Sequence, residues 1–192
     1  KNVYEIGLNL NLLEDPTGKL NINDVNSPEW AEKFKRSKHK APSFGTSKSS
    51  FWAKWDIINN ANKEKIWFLV FKYPLQDNIH FFKKESEKWN KIVTGDTFQY
   101  SFRGIDSRWF VFKIYLNKKE TLFLRISGTI NQIDLSIMSG VKLFSEGTKF
   151  NYFFGLFFGL VLAVFFYNLF IYLATRSLSY LYYISYVFFL GT

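Results

Sequence analysis

The sequence predicts a mainly β protein: a jelly-roll-like β-sandwich ectodomain followed by transmembrane α-helices, one complete and one truncated. Three observations carry this. Charge stops near residue 150, because from Asn151 to Thr192 the only charged side chain is Arg176. Tyr152 to Ala174 reads YFFGLFFGLVLAVFFYNLFIYLA, long enough to cross a hydrocarbon core of about 30 Å at ~1.5 Å per residue. Before that run, apolar residues recur with a period of two, punctuated by turn residues roughly every 8–15 positions and uninterrupted by any long helix.

The elements follow in order. Val3 to Leu13 is strand-like and ends in Glu14-Asp15-Pro16-Thr17-Gly18, whose Pro and Gly make a turn. Leu20-Asn21-Ile22 alternates briefly. Ser27-Pro28-Glu29-Trp30 starts a helix, with Ser as N-cap, Pro at the first helical position and an acid in the first turn; it is expected to end near Lys35. Arg36 to Ser50 is polar, holds Pro42 and Gly45, and reads as a loop. Strands follow at Phe51–Asn59, Ile66–Tyr73 (nearly all apolar, hence central) and Asn78–Lys83, with turns at Asn59–Glu64 and Gly95-Asp96. Phe98, Tyr100 and Phe102 alternate as a further strand. Phe110, Phe112, Ile114 and Leu116 share one strand face, with Trp109, Val111, Lys113 and Tyr115 opposite. Leu122, Leu124 and Ile126 oppose Thr121, Phe123, Arg125 and Ser127, and Ile133, Leu135 and Ile137 close a set of about eight strands.

The expected domains are a sandwich over residues 1–149 and the start of a polytopic membrane region over residues 150–192. Helix 1 covers about 152–174, and helix 2 starts at about 180 in an apolar run still unfinished at Leu190. Of the net charge of +9, Arg176 supplies one unit, leaving 9 − 1 = +8 before residue 151. These lysines are scattered, so no nucleic acid is expected as a partner. The densest cluster, Lys33 to Lys40, reads as a solvated helix end and loop, with anionic headgroups as the alternative. There are no cysteines, so disulfides, thiol nucleophiles and Cys-based metal sites are excluded. No G-x-S-x-G, H-E-x-x-H or glycine-rich phosphate loop is present. His39 and His80 are isolated, and His80 reads as a strand-surface residue. Glu14, Asp15, Asp56 and Asp96 sit mostly in turns rather than as the facing pair that glycoside hydrolysis needs. No enzyme activity, catalytic residue, cofactor or metal is therefore expected in this chain.

Binding has better material. Sugars dock on aromatic faces ringed by charged or amide groups. Trp52, Lys54 and Asp56, then Trp109, Lys113 and Tyr115, then Arg125 lie on the noncore faces of their strands, with Arg103 just before one of them. Adjacent on one sheet, they would form an aromatic and basic platform for a glycan or an anionic small molecule. The same tryptophans could instead finish the core, and Arg125 could form a structural ion pair. In the membrane run, Gly155 and Gly159 make a G-x-x-x-G pair suited to close helix packing, including a homodimer. Asn168 needs a hydrogen-bonding partner on another helix. Arg176 marks its short loop as cytoplasmic, which puts the β domain outside.

Several stretches now fall into one order. They are Leu12-Leu13-Glu14-Asp15-Pro16, Leu20-Asn21-Ile22-Asn23-Asp24-Val25, Ser50-Phe51-Trp52-Ala53-Lys54-Trp55 with Asn59, Gly95-Asp96, Arg103 ahead of the Phe110 strand, and Leu122-Phe123-Leu124-Arg125-Ile126. Phe154-Gly155, Tyr167-Asn168-Leu169-Phe170 and Ser179-Tyr180-Leu181-Tyr182-Tyr183 continue the order in the membrane part. In this arrangement the chain resembles the bacterial 7TM receptors with diverse intracellular signalling modules, over their type 2 extracellular domain and the start of their seven-helix region. Two features depart from the family pattern: the basic Arg36–Ser47 loop, and Ala53-Lys54 in place of a small aliphatic residue followed by Arg. The resemblance implies a carbohydrate-binding-module-like sensor on the periplasmic side of a multi-pass protein in the inner membrane. It also implies a cytoplasmic effector that this chain does not contain. The function expected is ligand sensing and relay. A substrate-capturing transporter ectodomain and a membrane-anchored envelope-binding module are the alternatives.

Overall fold

The computed structural model describes residues 3–59, 65–85, 88–116 and 119–190. The turn expected at Asn59–Glu64 lies, beyond Asn59, outside them. The chain forms two compact units, Lys1–Leu143 and Phe144–Thr192.

Among the described residues the first unit holds twelve strands: β1 (Val3–Glu5), β2 (Asn11–Asp15), β3 (Lys35–Arg36), β4 (Ser43–Thr46), β5 (Ser50–Ile58), β6 (Lys65–Phe71), β7 (Asn78–Glu85), β8 (Lys88–Thr94), β9 (Phe110–Leu116), β10 (Lys119–Ser127), β11 (Ile130–Gln132) and β12 (Leu135–Met138). One antiparallel sheet runs β1-β12-β6-β9, a second runs β3-β2-β5-β10-β7-β8, and β4 pairs with β11. The two large sheets bury one face of each against the other. Leu69, Phe71, Phe110, Phe112, Ile114, Leu135 and Ile137 of the four-stranded sheet meet Phe51, Ala53, Trp55, Ile79, Phe81, Leu122, Leu124 and Ile126 of the six-stranded sheet. Phe81 and Phe112 touch across the layer with ring centroids 4.9 Å apart. At about 25 cal/mol per Å², burial on this scale is the main force holding the unit together. From β5 to β12 the chain passes from one sheet to another at each step except the β7–β8 hairpin.

Several expected elements are corrected. Val3 to Leu13 is not one strand: a 3-10 turn at Gly7–Asn9 separates β1 from β2, which lie in different sheets. Gly7 sits there because a Cβ would collide with the Lys40 carbonyl. Leu20-Asn21-Ile22 leads instead into a helix, α1 (Ile22–Asn26). The Asn21 side chain accepts from the Asn23 and Asp24 amides, and Asp24 accepts from the Asn21 amide. The helix starting at Pro28 is shorter than expected, α2 (Pro28–Ala31), and the Ser27 side chain makes no capping bond. The Phe98–Phe102 strand is absent, replaced by a 3-10 turn at Tyr100–Arg103. Strands β3, β4, β8 and β11 arise where no strand was expected, raising the count above eight.

A second apolar cluster lies on the outer face of the six-stranded sheet. Leu13, Trp52, Phe82 and Phe123 are covered there by Leu20, Ile22, Val25, Trp30 and Phe34 from the α1–α2 excursion. A third, Val70, Val111 and Met138, lies on the outer face of the four-stranded sheet under Phe68, Ile105, Trp109 and Leu143.

The second unit is helical. Helix α3 (Gly140–Thr175) is long and apolar enough to cross a membrane, and α4 (Leu178–Leu190) is a shorter apolar helix. Both begin earlier than the sequence suggested. A groove of about 620 Å³ between them is lined by Val164, Tyr167, Asn168, Ser179, Tyr180 and Tyr183. Asn168 is only 8% exposed and returns one amide hydrogen to the Val164 carbonyl of its own helix at 2.8 Å. A Cβ at Gly155 or Gly159 would meet nothing within 4 Å.

Candidate functional site

The expected platform is divided between two sheets. Trp52, Lys54 and Asp56 on β5 and Arg125 on β10 share the outer face of the six-stranded sheet, whereas Lys113 and Tyr115 on β9 face outward from the other sheet. Alternation sets which way each side chain points, and both sets do point away from the main core. Opposite sheets nonetheless put them on opposite sides of the sandwich.

On the six-stranded sheet, register places Trp52 opposite Arg125, and Arg125 opposite His80 on the next strand. One row along, Lys54, Phe123 and Phe82 are successive neighbours, with Lys91 of β8 opposite Phe82. Trp52 is completely buried, so it supplies a floor rather than an exposed docking face. Lys54 is half-buried, with its ammonium 5.4 Å from the Phe123 ring centre and 5.9 Å from that of Phe34. Asp56 is exposed, accepts from the Thr121 hydroxyl at 2.7 Å, and lies 3.9 Å from Lys119.

The Arg125 seat is built by a local turn. Asp15 opens it, Pro16 presets the next φ, and Gly18 adopts φ 65°. The Asp15 carboxylate accepts from the Thr17 hydroxyl and the Gly18 and Leu20 amides at 2.8, 2.9 and 3.0 Å. The turn thereby presents the Gly18 carbonyl to Arg125, whose Nη2 donates to it at 2.7 Å and to the Ser50 hydroxyl at 3.0 Å. No carboxylate among the described residues lies within ion-pair distance of Arg125, so the anticipated structural ion pair is absent and neutral acceptors hold the guanidinium. Beside it, His80 is half-buried. Burial, then the charges of Lys91 and Arg125, pushes its pKa down from 6.5 to about 4. Lys91 is exposed.

The other expected residues have different surroundings. Arg103 organises the loop between β8 and β9. Its Nη1 donates to the Ser107 and Arg108 carbonyls, each at 3.4 Å, and its guanidinium lies 4.9 Å from the Tyr100 ring and 4.6 Å from that of Phe110. Tyr100 donates to Asp106 at 2.6 Å, which raises the phenol pKa. Trp109 packs on the Val70–Val111–Met138 cluster beneath the Arg108 guanidinium, 4.2 Å from its ring. Lys113 reaches over Tyr115 at 5.1 Å. Sequence reasoning missed Trp30, Phe34, Trp89 and Lys91, which border the six-stranded sheet's outer face. The Trp89–Lys91–Val93 alternation was the signal available for that edge. Among the described residues, no group of three or more His, Cys, Asp or Glu could hold a metal ion.

Residues 7–139 match the family described as 7TMR-DISM extracellular 2, and residues 150–192 match 7TM diverse intracellular signalling. The chain belongs to the 7TMR-DISM family. No curated protein matches it. Membership makes the β unit of this 7TMR-DISM chain the sensing domain of a membrane receptor. The helical unit carries the match to the 7TM family, over residues 150–192. The residues between the two matches, 140–149, all lie in α3.

Proposed function

We propose that this 7TMR-DISM chain binds a small ligand outside the cytoplasm on the outer face of its six-stranded sheet. It relays occupancy through α3 to a cytoplasmic effector. Lys54, Asp56 and Arg125 contribute to the binding face, together with His80, Trp89 and Lys91. The single observation that carries the reading is the pair of consecutive family matches, sensor then seven-helix region, joined through one helix. A jelly-roll winding is supported by the repeated passage of the chain between sheets. A carbohydrate or an anionic small molecule suits the half-buried aromatic rings and cations of this face. Arg103, Trp109, Lys113 and Tyr115 on the other side are assigned to loop and sheet packing. The protein sits in the inner membrane as a multi-pass chain with its β unit on the periplasmic side, and Gly155 and Gly159 provide a surface for self-association.

The test uses the intact receptor in lipid nanodiscs. Glucose, glucuronate and N-acetylglucosamine are titrated while tryptophan fluorescence and effector activity are recorded together. Saturable binding that changes effector output, lost in Lys54→Ala or Trp89→Ala, supports the reading. Saturation without any change in output sinks the relay, and absence of binding to the whole set sinks the ligand class.

A further inference from the structure

We propose that Arg125, His80 and Lys91, on three adjacent strands of the six-stranded sheet, form a subsite for a carboxylate or sulfate oxyanion. The inference rests on the outer face of this sheet being the ligand face, and it assigns the charged end of the ligand.

Arg125 and His80 are direct cross-strand partners, and Lys91 lies diagonally beyond His80, opposite Phe82. Directly opposed positions in a sheet sit about 4.5–5.5 Å apart at Cα, and their diagonals about 7–8 Å. Arg125 and Lys91 thus flank His80 from the two neighbouring strands, about 12 Å apart at Cα, and their long side chains can converge on an anion held at His80. Cross-strand groups of like charge destabilise a sheet unless something offsets them. Nothing in this patch does so among the described residues. Arg125 is held by a carbonyl and a hydroxyl, and its Nε is buried without an acceptor. Lys91 makes no ion pair among the described residues. Asp15, the acid bordering this face from β2, has its carboxylate oxygens occupied by the Thr17, Gly18 and Leu20 donors. Burial first, and then the charges of Lys91 and Arg125, push the His80 pKa down, so the imidazole between the two cations is neutral at pH 7. A neutral imidazole still donates one N–H, so Arg125, Lys91 and His80 together offer donors of the kind oxyanions accept. The Trp52 ring beneath Arg125, at 5.8 Å, and the Phe82 ring edge-on to His80, at 6.3 Å, give the patch an apolar floor that strengthens such bonds.

The chain has two histidines, His39 and His80, and His39 is exposed in the loop before β4. Histidine-labelled chain in nanodiscs is titrated by NMR in sodium sulfate, in sodium acetate, and in sodium chloride at matched ionic strength. Chloride screens the patch and supplies the baseline. Sulfate or acetate is expected to raise the His80 pKa by at least one unit beyond that baseline, with saturation, and to leave His39 unmoved. One unit corresponds to tenfold tighter anion binding by the protonated form. A larger effect for sulfate than acetate identifies a dianion site; the reverse identifies a carboxylate site. Lys91→Ala removes only an exposed side chain and is expected to cut the excess shift at least in half. Arg125→Gln, checked for folding, is expected to abolish it. Equal shifts in chloride and sulfate, or equal movement of His39, overturn the subsite. If sugars bind in the fluorescence assay while His80 is insensitive to oxyanions, the subsite falls and the ligand face stands; if neither responds, both fall.

Discussion

Arg125 and Trp52 face each other across β10 and β5, with the guanidinium carbon 5.8 Å from the centre of the indole ring. The same guanidinium holds the Gly18 carbonyl of the Asp15–Gly18 turn. A residue at the mouth of the proposed ligand face is therefore tied both to the floor of that face and to the turn preceding α1. Truncating it disturbs binding and architecture together. Arg125→Met keeps the stem but deletes two hydrogen bonds from a charged donor. With such bonds at ~1.5–3 kcal/mol each gross, and partial compensation by water, a net loss of about 2 kcal/mol is expected. Urea unfolding of wild type and variant measures it, and a change within error would show that the Gly18 contact is idle.

Trp52 and Trp109 were equivalent candidates in sequence and differ in surroundings. Trp52 is fully enclosed by Leu13, Phe82 and the α1–α2 cover, whereas Trp109 is half-buried. Replacing a buried Trp by Ala costs about 3–5 kcal/mol. Trp52→Ala is expected to reach that range and Trp109→Ala to cost less than half as much. Thermal unfolding in matched nanodiscs ranks them, and a reversed order would contradict the burial assigned to Trp52.

The difference between those two tryptophans shows how far the sequence could be read. Strands β5, β9 and β10 were legible because one face of each is buried, which imprints alternation on Phe51-Ala53-Trp55, Phe110-Phe112-Ile114 and Leu122-Leu124-Ile126. Alternation gives the parity of a side chain but not the sheet its strand joins. That is why Lys54 and Lys113 looked adjacent and lie on opposite sides. Strand β8 was hidden because an edge strand carrying Lys88, Asn90 and Lys91 has little apolar signal. The Phe98-Tyr100-Phe102 alternation misled because those residues join no ladder; Arg103 binds the Ser107 and Arg108 carbonyls and closes a loop instead. The α1 cap is written in the sequence as Asn21 three residues before Asp24, but the helix it starts, Ile22–Asn26, is too short to leave a periodic apolar pattern.

Lys83 and Glu120 form an ion pair at 3.3 Å with side chains only 13% and 14% exposed, and Lys83 also donates to the Tyr115 carbonyl at 2.7 Å. Breaking one partner leaves the other poorly solvated, which costs about 3 kcal/mol, whereas replacing both with apolar residues recovers most of that. Lys83→Met alone is expected to be the worse variant and Lys83→Met with Glu120→Leu the milder. Equal losses in single and double variants, in denaturant titrations, would mean the pair adds no coupling.

His80 links stability to acidity. Unfolded, it takes up a proton near pH 6.5; folded, only near pH 4. Between those values the unfolded chain binds more protons, so stability falls as pH drops through the window and levels off below it. Allowing for partial solvent access, the span is on the order of 2 kcal/mol. Comparing wild type with His80→Asn isolates this from the carboxylates, and the variant is expected to show a flatter curve between pH 6.5 and 4. Parallel curves would place His80 in a more watery setting than its neighbours Lys91 and Arg125 imply.

Gly155 and Gly159 allow a clean test of association in the membrane. A Cβ at either position meets nothing within 4 Å among the described residues, so both positions have room for a side chain. An effect of a larger residue there reports on whatever packs against this face of the helix, a second copy or another helix of the receptor. In bilayers small residues spaced by four let helices approach closely, and bulk at those positions pushes them apart. Gly155→Leu and Gly159→Leu are therefore expected to leave unfolding of the β unit unchanged while lowering the dimer fraction several-fold in single-molecule photobleaching of liposome-reconstituted receptor. Asn168→Leu supplies the contrast. Its amide is already bonded to the Val164 carbonyl and nearly enclosed beside α4, so it is expected to alter packing within the chain and leave the dimer fraction in place. A dimer fraction insensitive to both glycine variants would assign that face to lipid or to another helix of the same receptor.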